Sequence, residues 1–167
     1  MTDSPVTTQV DARLATRDDL EAMAAMETNV TRGLSASYLD AQDAGDALVV
    51  LGLIDGQVRG RLLLDLRPAN ELVPEMKLLY VDPSARRRGL GAAMTSFMEA
   101  KAAEYGFDEV FLGVSPEHVG AIPLYISLDY TPTGDHRDAV NLSVIDPDIA
   151  LSDHPTEAIY RKSLRLR

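Results

Sequence analysis

Apolar and polar residues are arranged along the first half of the chain as the strands of a sheet require. Residues 10–15 alternate apolar with polar positions, the pattern of a half-buried strand. The apolar runs 47–54 and 58–66 are joined by Asp55-Gly56, a pair that favours a tight hairpin. The hairpin leads into another apolar run, 76–81, so the pattern predicts an antiparallel meander.

Cap residues and glycine stops predict three helices around these strands. Thr16 is suited to cap a helix that continues to about Glu27. A second helix is predicted over residues 35–44. A third helix ends at Gly106, and its apolar positions recur at helical spacing: Met94, Phe97, Met98 and Lys101-Ala102.

The second half of the chain continues the alternation of strands and helices. Residues 109–114 are predicted as a strand that follows 76–81 through a helix, so these two strands can lie parallel. Further strands are predicted at 130–134 and 158–164. Residues 136–155 are predicted as an extra strand or hairpin plus loop, at a substrate mouth or a subunit contact. Together the elements predict an α/β (α+β) fold with a mixed, mostly antiparallel central sheet and flanking helices.

Length and charge narrow the class of protein. The 167 residues predict one domain over 9–167 after a flexible N-terminus, 1–8. With no cysteine, no bilayer-spanning apolar run and no leader pattern, we expect a cytoplasmic protein without membrane contact. A net charge of -10 disfavours nucleic-acid binding and suits either a cationic substrate or ordinary solubility. Three scattered histidines give no metal-ligand spacing, so no metal is expected.

A basic, glycine-containing stretch between the strand 76–81 and the third helix carries candidate chemistry. The first amides of a helix have no internal partners and carry a partial positive charge. Gly89 and Gly91 would let a phosphate approach these amides, and three arginines before them add charge and paired donors. The stretch lacks the third glycine of the dinucleotide fingerprint and the Gly-Lys of a nucleoside-triphosphate loop. It predicts a diphosphate-binding turn, with a solvated arginine cluster as the alternative.

Arg86-x-x-Gly89-x-Gly91-Ala92, after Leu79-Tyr80-Val81-Asp82-Pro83, resembles the acyl-coenzyme A loop of GNAT-type N-acetyltransferases. The resemblance implies a splayed parallel strand pair in the sheet and acetyl-CoA as co-substrate. It implies that the pantetheine arm pairs with the strand backbone at Leu79, Tyr80 and Val81. It also implies that the coenzyme A pyrophosphate is held by the loop residues Arg86, Arg87, Arg88, Gly89, Leu90, Gly91 and Ala92.

A later stretch resembles the second family signature, Asn-x-x-Ala-x-x-x-Tyr-x-x-x-Gly-Phe. Ala121 and Tyr125 match it, His118 stands at the asparagine position, and Asp129-Tyr130 replaces Gly-Phe. The resemblance implies that His118 and Tyr125 contact coenzyme A, with the Tyr125 hydroxyl near the sulfur. The alternative for Tyr125 is a tyrosine packed on a short helix.

Acyl transfer to an amine needs a proton acceptor for the amine and a proton donor for the thiolate. Tyr125 is predicted as the general acid. Glu75, six residues before Val81, stands where protein-acetylating family members have a carboxylate base. The alternative for Glu75 is a surface glutamate, and Glu117 and His118 are further candidate bases. By resemblance, the amide of Val81 is the donor to the carbonyl oxygen.

We therefore expect an acetyl-CoA-dependent N-acetyltransferase that acetylates a primary amine of a small molecule or peptide by direct attack in a ternary complex. The alternatives are a non-catalytic acyl-CoA-binding regulatory module of the same fold and a nucleic-acid-binding protein that uses Arg86 to Arg88. A homodimer is compatible, since dimers are common in the family. The resemblance also puts the first helical region beside the acceptor, which makes candidate contacts of Glu27, Asn29, Arg32 and Tyr38, with ordinary solvated polar residues as the alternative.

Overall fold

The computed structural model describes residues 8–29, 31–115, 120–138 and 156–165. Within these ranges, seven strands form one sheet in the order β1-β2-β3-β4-β5-β7-β6. The strands are β1 Val10–Leu14, β2 Ala47–Ile54, β3 Gln57–Asp65, β4 Glu75–Val81, β5 Glu109–Val114, β6 Thr131–Asp138 and β7 Thr156–Ser163. The helices are α1 Leu20–Ala24, α2 Ser35–Asp43, α3 Leu90–Glu104 and α4 Ile122–Ser127. Neighbouring strands are antiparallel except for β4 and β5, which confirms the predicted mixed sheet.

Helices cover both faces of the sheet. On one face, α3 buries a stripe at four-residue spacing, Leu90, Met94, Met98 and Ala102, each at most 1% exposed. On the other face, α1 and α2 pack against β2 and β3 through Met23, Tyr38 and Leu39. All eight residues of β2 are buried, as expected for a central strand covered on both sides.

Two glycines let α3 approach the sheet closely. Gly52 of β2 and Gly60 of β3 are paired across the two strands. A Cβ at Gly52 would lie 2.6 Å from Leu90 Cδ1, and a Cβ at Gly60 would lie 2.8 Å from Met94 Cε. The first turns of α3 therefore rest directly on backbone, and this contact sets the position of the helix start beside β4.

The two parallel strands separate soon after they begin. β4 and β5 are paired only at Glu75 with Phe111 and at Met76 with Leu112. Just beyond, Leu78 has a φ of 57°, and the register between β3 and β4 is irregular at Arg61/Leu63. A bulge of this kind bends a strand and ends its pairing. The structure thus contains the splayed parallel pair that the resemblance implied.

Most predicted elements are confirmed, with differences at two ends. The helix after Thr16 begins with a 3-10 turn, Arg17–Asp19, and α1 ends at Ala24 rather than near Glu27. Beyond it, the Glu27 carboxylate accepts hydrogen bonds from the amides of Gly33 and Ser35, which fixes an irregular connection instead of another helical turn. β6 runs to Asp138, and most of the predicted 136–155 insertion lies outside the described residues. Nowhere in the described ranges is there a helix with the length and apolar character needed to cross a membrane.

Candidate active site

The loop between β4 and α3 is shaped by left-handed backbone at two positions. After β4, Asp82 caps a 3-10 turn by accepting a hydrogen bond from the amide of Ser84 at 2.9 Å. Arg87 then has a φ of 65° and Gly89 a φ of 81°. The left-handed conformation is far easier for glycine than for other residues, so Gly89 is suited to the position at which α3 starts.

The start of α3 presents amides without backbone partners. The amide of Ala93 donates to the carbonyl of Gly89 at 3.0 Å. The amides of Leu90, Gly91 and Ala92 precede that bond, and none of them donates to a carbonyl of the described chain. These N–H groups carry the positive end of the helix dipole, and an anion is the partner they suit best.

Gly91 leaves the approach to these amides open. A Cβ at Gly91 would touch Leu124 Cδ2, on α4, at 3.4 Å. A side chain longer than a methyl group would therefore occupy the space between the helix start and α4. A phosphate needs open space as well as positive charge, and the start of α3 offers the two together.

The three predicted arginines surround the same turn. Arg86, Arg87 and Arg88 are exposed, and Arg86 Nε donates to the carbonyl of Val81 at 3.1 Å. Within the described ranges, none of the three lies within 4.0 Å of a carboxylate oxygen. Their charge is therefore available to a ligand anion.

The predicted pantetheine strand lies beside this loop. Leu79, Tyr80 and Val81 are half-buried at the end of β4 that has separated from β5. Backbone groups on that edge have no strand partner, so an extended ligand could pair with them. Leu79 and Val81 pack against the same core as Tyr125 of α4, which places α4 along the groove.

The half-buried side chain of Tyr125 packs beside Tyr130. Its ring lies 6.4 Å from the ring of Tyr130 in an edge-to-face arrangement. Burial raises the pKa of the Tyr125 hydroxyl above its ordinary value, so the phenol keeps its proton at neutral pH. Pro123 lies in the first turn of α4, where a missing amide hydrogen leaves no helical hydrogen bond unmade.

Glu75 lies where β4 and β5 begin to part, and both oxygens of its carboxylate accept hydrogen bonds. The residue is 1% exposed. Arg137 Nη1 donates to one carboxylate oxygen at 3.0 Å and Arg137 Nη2 to the other. Asn70 Nδ2 donates to Glu75 Oε1 at 2.9 Å. These contacts favour an anchor over the general base predicted for this position.

Arg137 was not predicted as a site residue. It also binds Glu157 at 2.7 Å, above Gly113 of β5. A Cβ at Gly113 would lie 2.6 Å from Glu157 Oε2, so this glycine makes room for the pair. Burial opposes the charge on Arg137, but the two carboxylates hold the pKa of its guanidinium above the ordinary value. No local sequence pattern marks these partners, because they come from strands far apart in the chain.

Glu117 and His118, the further candidate bases, lie outside the described residues. His118 as a coenzyme A contact therefore stays a prediction. Among the residues that the structure describes, no group of three or more histidine, cysteine or acidic side chains is arranged to hold a metal ion.

Known proteins resemble this chain in sequence and in fold. An uncharacterized N-acetyltransferase in the pepI 3' region of Lactobacillus delbrueckii subsp. lactis is 34% identical over 88 residues, 50% of this chain and 51% of that protein. The chain thus spans about half the length of this curated relative.

Two solved structures share the fold over nearly their whole length. The yncA protein of Salmonella typhimurium, solved with its cofactor acetyl-CoA, has a TM-score of 0.72 at 16% identity, covering 95% of this chain and 96% of that one. An aminoglycoside 6'-N-acetyltransferase complexed with coenzyme A has a TM-score of 0.69 at 14% identity, covering 93% and 98%. At these identities the likeness concerns the fold.

The assignment to a family comes from the sequence match. The model of the acetyltransferase (GNAT) family matches residues 17–130, more than half of the chain. The matched range contains the splayed strands, the arginine-glycine loop and α4. The chain belongs to the acetyltransferase (GNAT) family.

Proposed function

We propose that this protein is an acetyl-CoA-dependent N-acetyltransferase that acetylates a primary amine of a small molecule or peptide by direct attack in a ternary complex. One observation carries the proposal: unpartnered amides at the start of α3 adjoin the separated end of β4. The first feature suits a diphosphate and the second suits an extended arm. Coenzyme A has both groups in one molecule.

In this proposal each part of the loop has a defined task. The amides of Gly89, Leu90, Gly91 and Ala92 bind the diphosphate, and Arg86, Arg87 and Arg88 add charge around it. The backbone of Leu79, Tyr80 and Val81 pairs with the pantetheine arm, and the amide of Val81 donates to the carbonyl oxygen. His118 remains a proposed further contact. The bound thioester supplies an activated acetyl group.

Tyr125 is proposed as the general acid. Its raised pKa keeps the hydroxyl protonated, and a protonated phenol can donate to a departing thiolate. Because the chain contains no cysteine, it offers no thiol for a covalent acyl-enzyme.

Glu75 is proposed to act differently from the sequence-based prediction. Both oxygens of this carboxylate accept from one guanidinium, so its hydrogen-bonding groups are committed to that charge pair. We propose that the pair positions β4 at the point where it leaves β5. We therefore favour this positioning role for Glu75 over the role of general base.

The relatives support amine acceptors of different sizes. One neighbour of the same fold is an aminoglycoside 6'-N-acetyltransferase, and another, from Escherichia coli, is the ribosomal-protein-S18-alanine N-acetyltransferase. A shared fold therefore accommodates small-molecule and protein acceptors.

A coenzyme A release assay over a panel of amines tests the proposal. Amino acids, polyamines, aminoglycosides and peptides would be mixed with acetyl-CoA, and free thiol would be followed. We expect at least one amine to release thiol well above the rate of acetyl-CoA hydrolysis. Tight acetyl-CoA binding with no acceptor across the panel would favour the non-catalytic acyl-CoA-binding module instead.

A further inference from the structure

Arg61 is the one arginine or lysine that is buried among the described residues, with 4% of its surface exposed. It lies in the middle of β3, paired with Leu51 on β2 and with Tyr80 on β4. Leu51 belongs to the core beneath α1 and α2, so Arg61 is on the face of the sheet that those helices cover. The proposed diphosphate loop and α3 occupy the opposite face.

The guanidinium has few partners for so deep a position. Its Nη1 donates to the carbonyl of Leu78 at 2.7 Å. The rings of Tyr38 and Tyr80 each lie 5.6 Å from its central carbon. No carboxylate of the described chain lies within 4.0 Å of it, whereas Lys162 and Lys77, two other enclosed cations, are both ion-paired. Five N–H donors thus meet one acceptor in the described chain.

Glu27 is the acidic side chain that acts on Arg61 through space. Its carboxylate accepts from the amides of Gly33 at 2.7 Å and Ser35 at 3.3 Å. Those bonds hold it in the α1–α2 connection and leave the guanidinium without a direct ion pair.

Tyr38 has an unmet hydrogen bond beside this cation. Its side chain lies in α2 and is 8% exposed, and its hydroxyl is the buried side-chain polar atom without a partner in the described chain. Burying a hydroxyl without a hydrogen-bond partner is unfavourable. An acceptor with two oxygens would suit both this hydroxyl and the free N–H groups of the neighbouring guanidinium.

The guanidinium of Arg61 lies beside β4, the strand whose end is proposed to pair with the pantetheine arm. Leu78 and Tyr80, which contact Arg61, belong to the half-buried end of β4. A group held by Arg61 would therefore lie within a residue or two of the strand proposed to carry the pantetheine arm. Tyr38 itself belongs to α2, in the helical region predicted to flank the acceptor.

We propose that Arg61 and Tyr38 bind a carboxylate of the acceptor, so that the acceptor is a small amine that also carries a carboxylate, as a free amino acid does. This inference rests on the proposed acetyltransferase function and names the substrate class of the same site. A guanidinium fork and a hydroxyl match the two oxygens of a carboxylate. The amine of such a molecule is then free to face the acetyl group.

A comparison of matched amines tests the inference. Wild-type protein would be assayed for coenzyme A release with the standard amino acids, and the best of them compared with its decarboxylated amine, such as leucine with 3-methylbutylamine. A charge-assisted hydrogen bond of about 1.5–3 kcal/mol corresponds to a preference of about 10- to 100-fold in kcat/KM for the amino acid. Equal or better turnover of the carboxylate-free amine would overturn the inference and leave the proposed function intact.

Variants separate carboxylate binding from a structural role. Tyr38→Phe keeps the ring against Arg61 and removes the unpartnered hydroxyl, so folding should be preserved. We expect it to raise KM for the amino acid about tenfold with little change in kcat, and so to shrink the preference over the matched amine. Arg61→Lys, which loses the fork, should shrink it further. Tyr105→Phe, at an exposed tyrosine beyond the end of α3, is the control.

These experiments distinguish failure of the carboxylate-binding inference from failure of the proposed acetyltransferase function. If both variants lowered the rates with both amines equally, Arg61 would act only through the bulge at Leu78, and the inference would be overturned. If protein that binds acetyl-CoA acetylated no amine of any kind, the proposed function itself would fail and the inference with it.

Discussion

Arg137 on β6 holds the buried carboxylate of Glu75 on β4, although β5 and β7 lie between these strands in the sheet. The arginine reaches across the sheet above Gly113, where the missing side chain gives it room. The pair therefore ties the outer strands to the point at which β4 and β5 separate. Because Glu75 is 1% exposed, we expect the pair to contribute strongly to the free energy of unfolding.

Removing one partner should destabilise the fold strongly. Arg137→Met would leave the Glu75 carboxylate buried without its guanidinium, and loss of one partner from a buried pair costs about 3–5 kcal/mol. Urea unfolding measures the free energy of unfolding directly. Arg161→Met is the matched control, because its ion pair with Glu109 is half-exposed and should be worth less than about 1 kcal/mol. Equal losses for the two variants would contradict the account.

The same pair distinguishes an anchor from a base. The double variant Glu75→Gln with Arg137→Gln replaces two charges by a neutral hydrogen-bonding pair. If Glu75 positions β4, this variant should keep kcat within about tenfold of wild type, whereas loss of a general base costs about 10²–10⁴-fold. The assay follows coenzyme A release at saturating acetyl-CoA. A fall of a thousandfold in a stably folded double variant would restore Glu75 as the base.

The close approach of α3 to the sheet gives a further prediction. Gly52→Ala would put a Cβ 2.6 Å from Leu90 Cδ1, and overpacking of a core costs about 1–3 kcal/mol. We expect a lower free energy of unfolding and weaker acetyl-CoA binding, because the helix start must move. Adding Leu90→Ala makes room for the methyl group, so the double variant should lose less than the two single losses combined. Strict additivity would show that the contact does not position the helix.

Local features of the chain could be predicted from sequence because their signals are contiguous. The alternation in 10–15, the Asp55-Gly56 turn and the arginine-glycine loop each lie within a few neighbouring residues. Period and turn chemistry act over the same distance. The antiparallel meander and the basic, glycine-containing turn before α3 followed from them.

The rest depends on register, which no short stretch encodes. Gly52 and Gly60 matter because they are paired across two strands beneath one helix. Glu75 and Arg137 are 62 residues apart in sequence and meet only in the folded sheet. The sequence around Arg61 does not show that its side chain is buried. The two tyrosine rings that contact it, Tyr38 and Tyr80, come from other elements. Their roles became visible only with the structure.

Tyr125 should matter for turnover and not for cofactor affinity. Tyr125→Phe removes the proposed proton donor, and we expect kcat to fall about 100-fold with the dissociation constant of acetyl-CoA unchanged. Since burial raises the pKa of this hydroxyl, the wild-type rate should lose its acid only above about pH 10, the ordinary tyrosine value. Paired calorimetry and rate measurements test this, with Tyr105→Phe as control. Unchanged kcat would contradict the assignment of Tyr125 as the general acid.

The most direct measurement is calorimetric titration of acetyl-CoA into wild-type protein and into Gly91→Glu. The added carboxylate would occupy the space before Leu124 and repel a diphosphate from the amides of Leu90, Gly91 and Ala92. Ala100→Glu, on an exposed position of the same helix, adds the same charge away from its start. We predict saturable binding to wild type and to Ala100→Glu, with affinity for Gly91→Glu reduced about 100-fold or more. No heat of binding to wild type, or equal affinity for Gly91→Glu, would contradict the assignment of this helix start as the coenzyme A site.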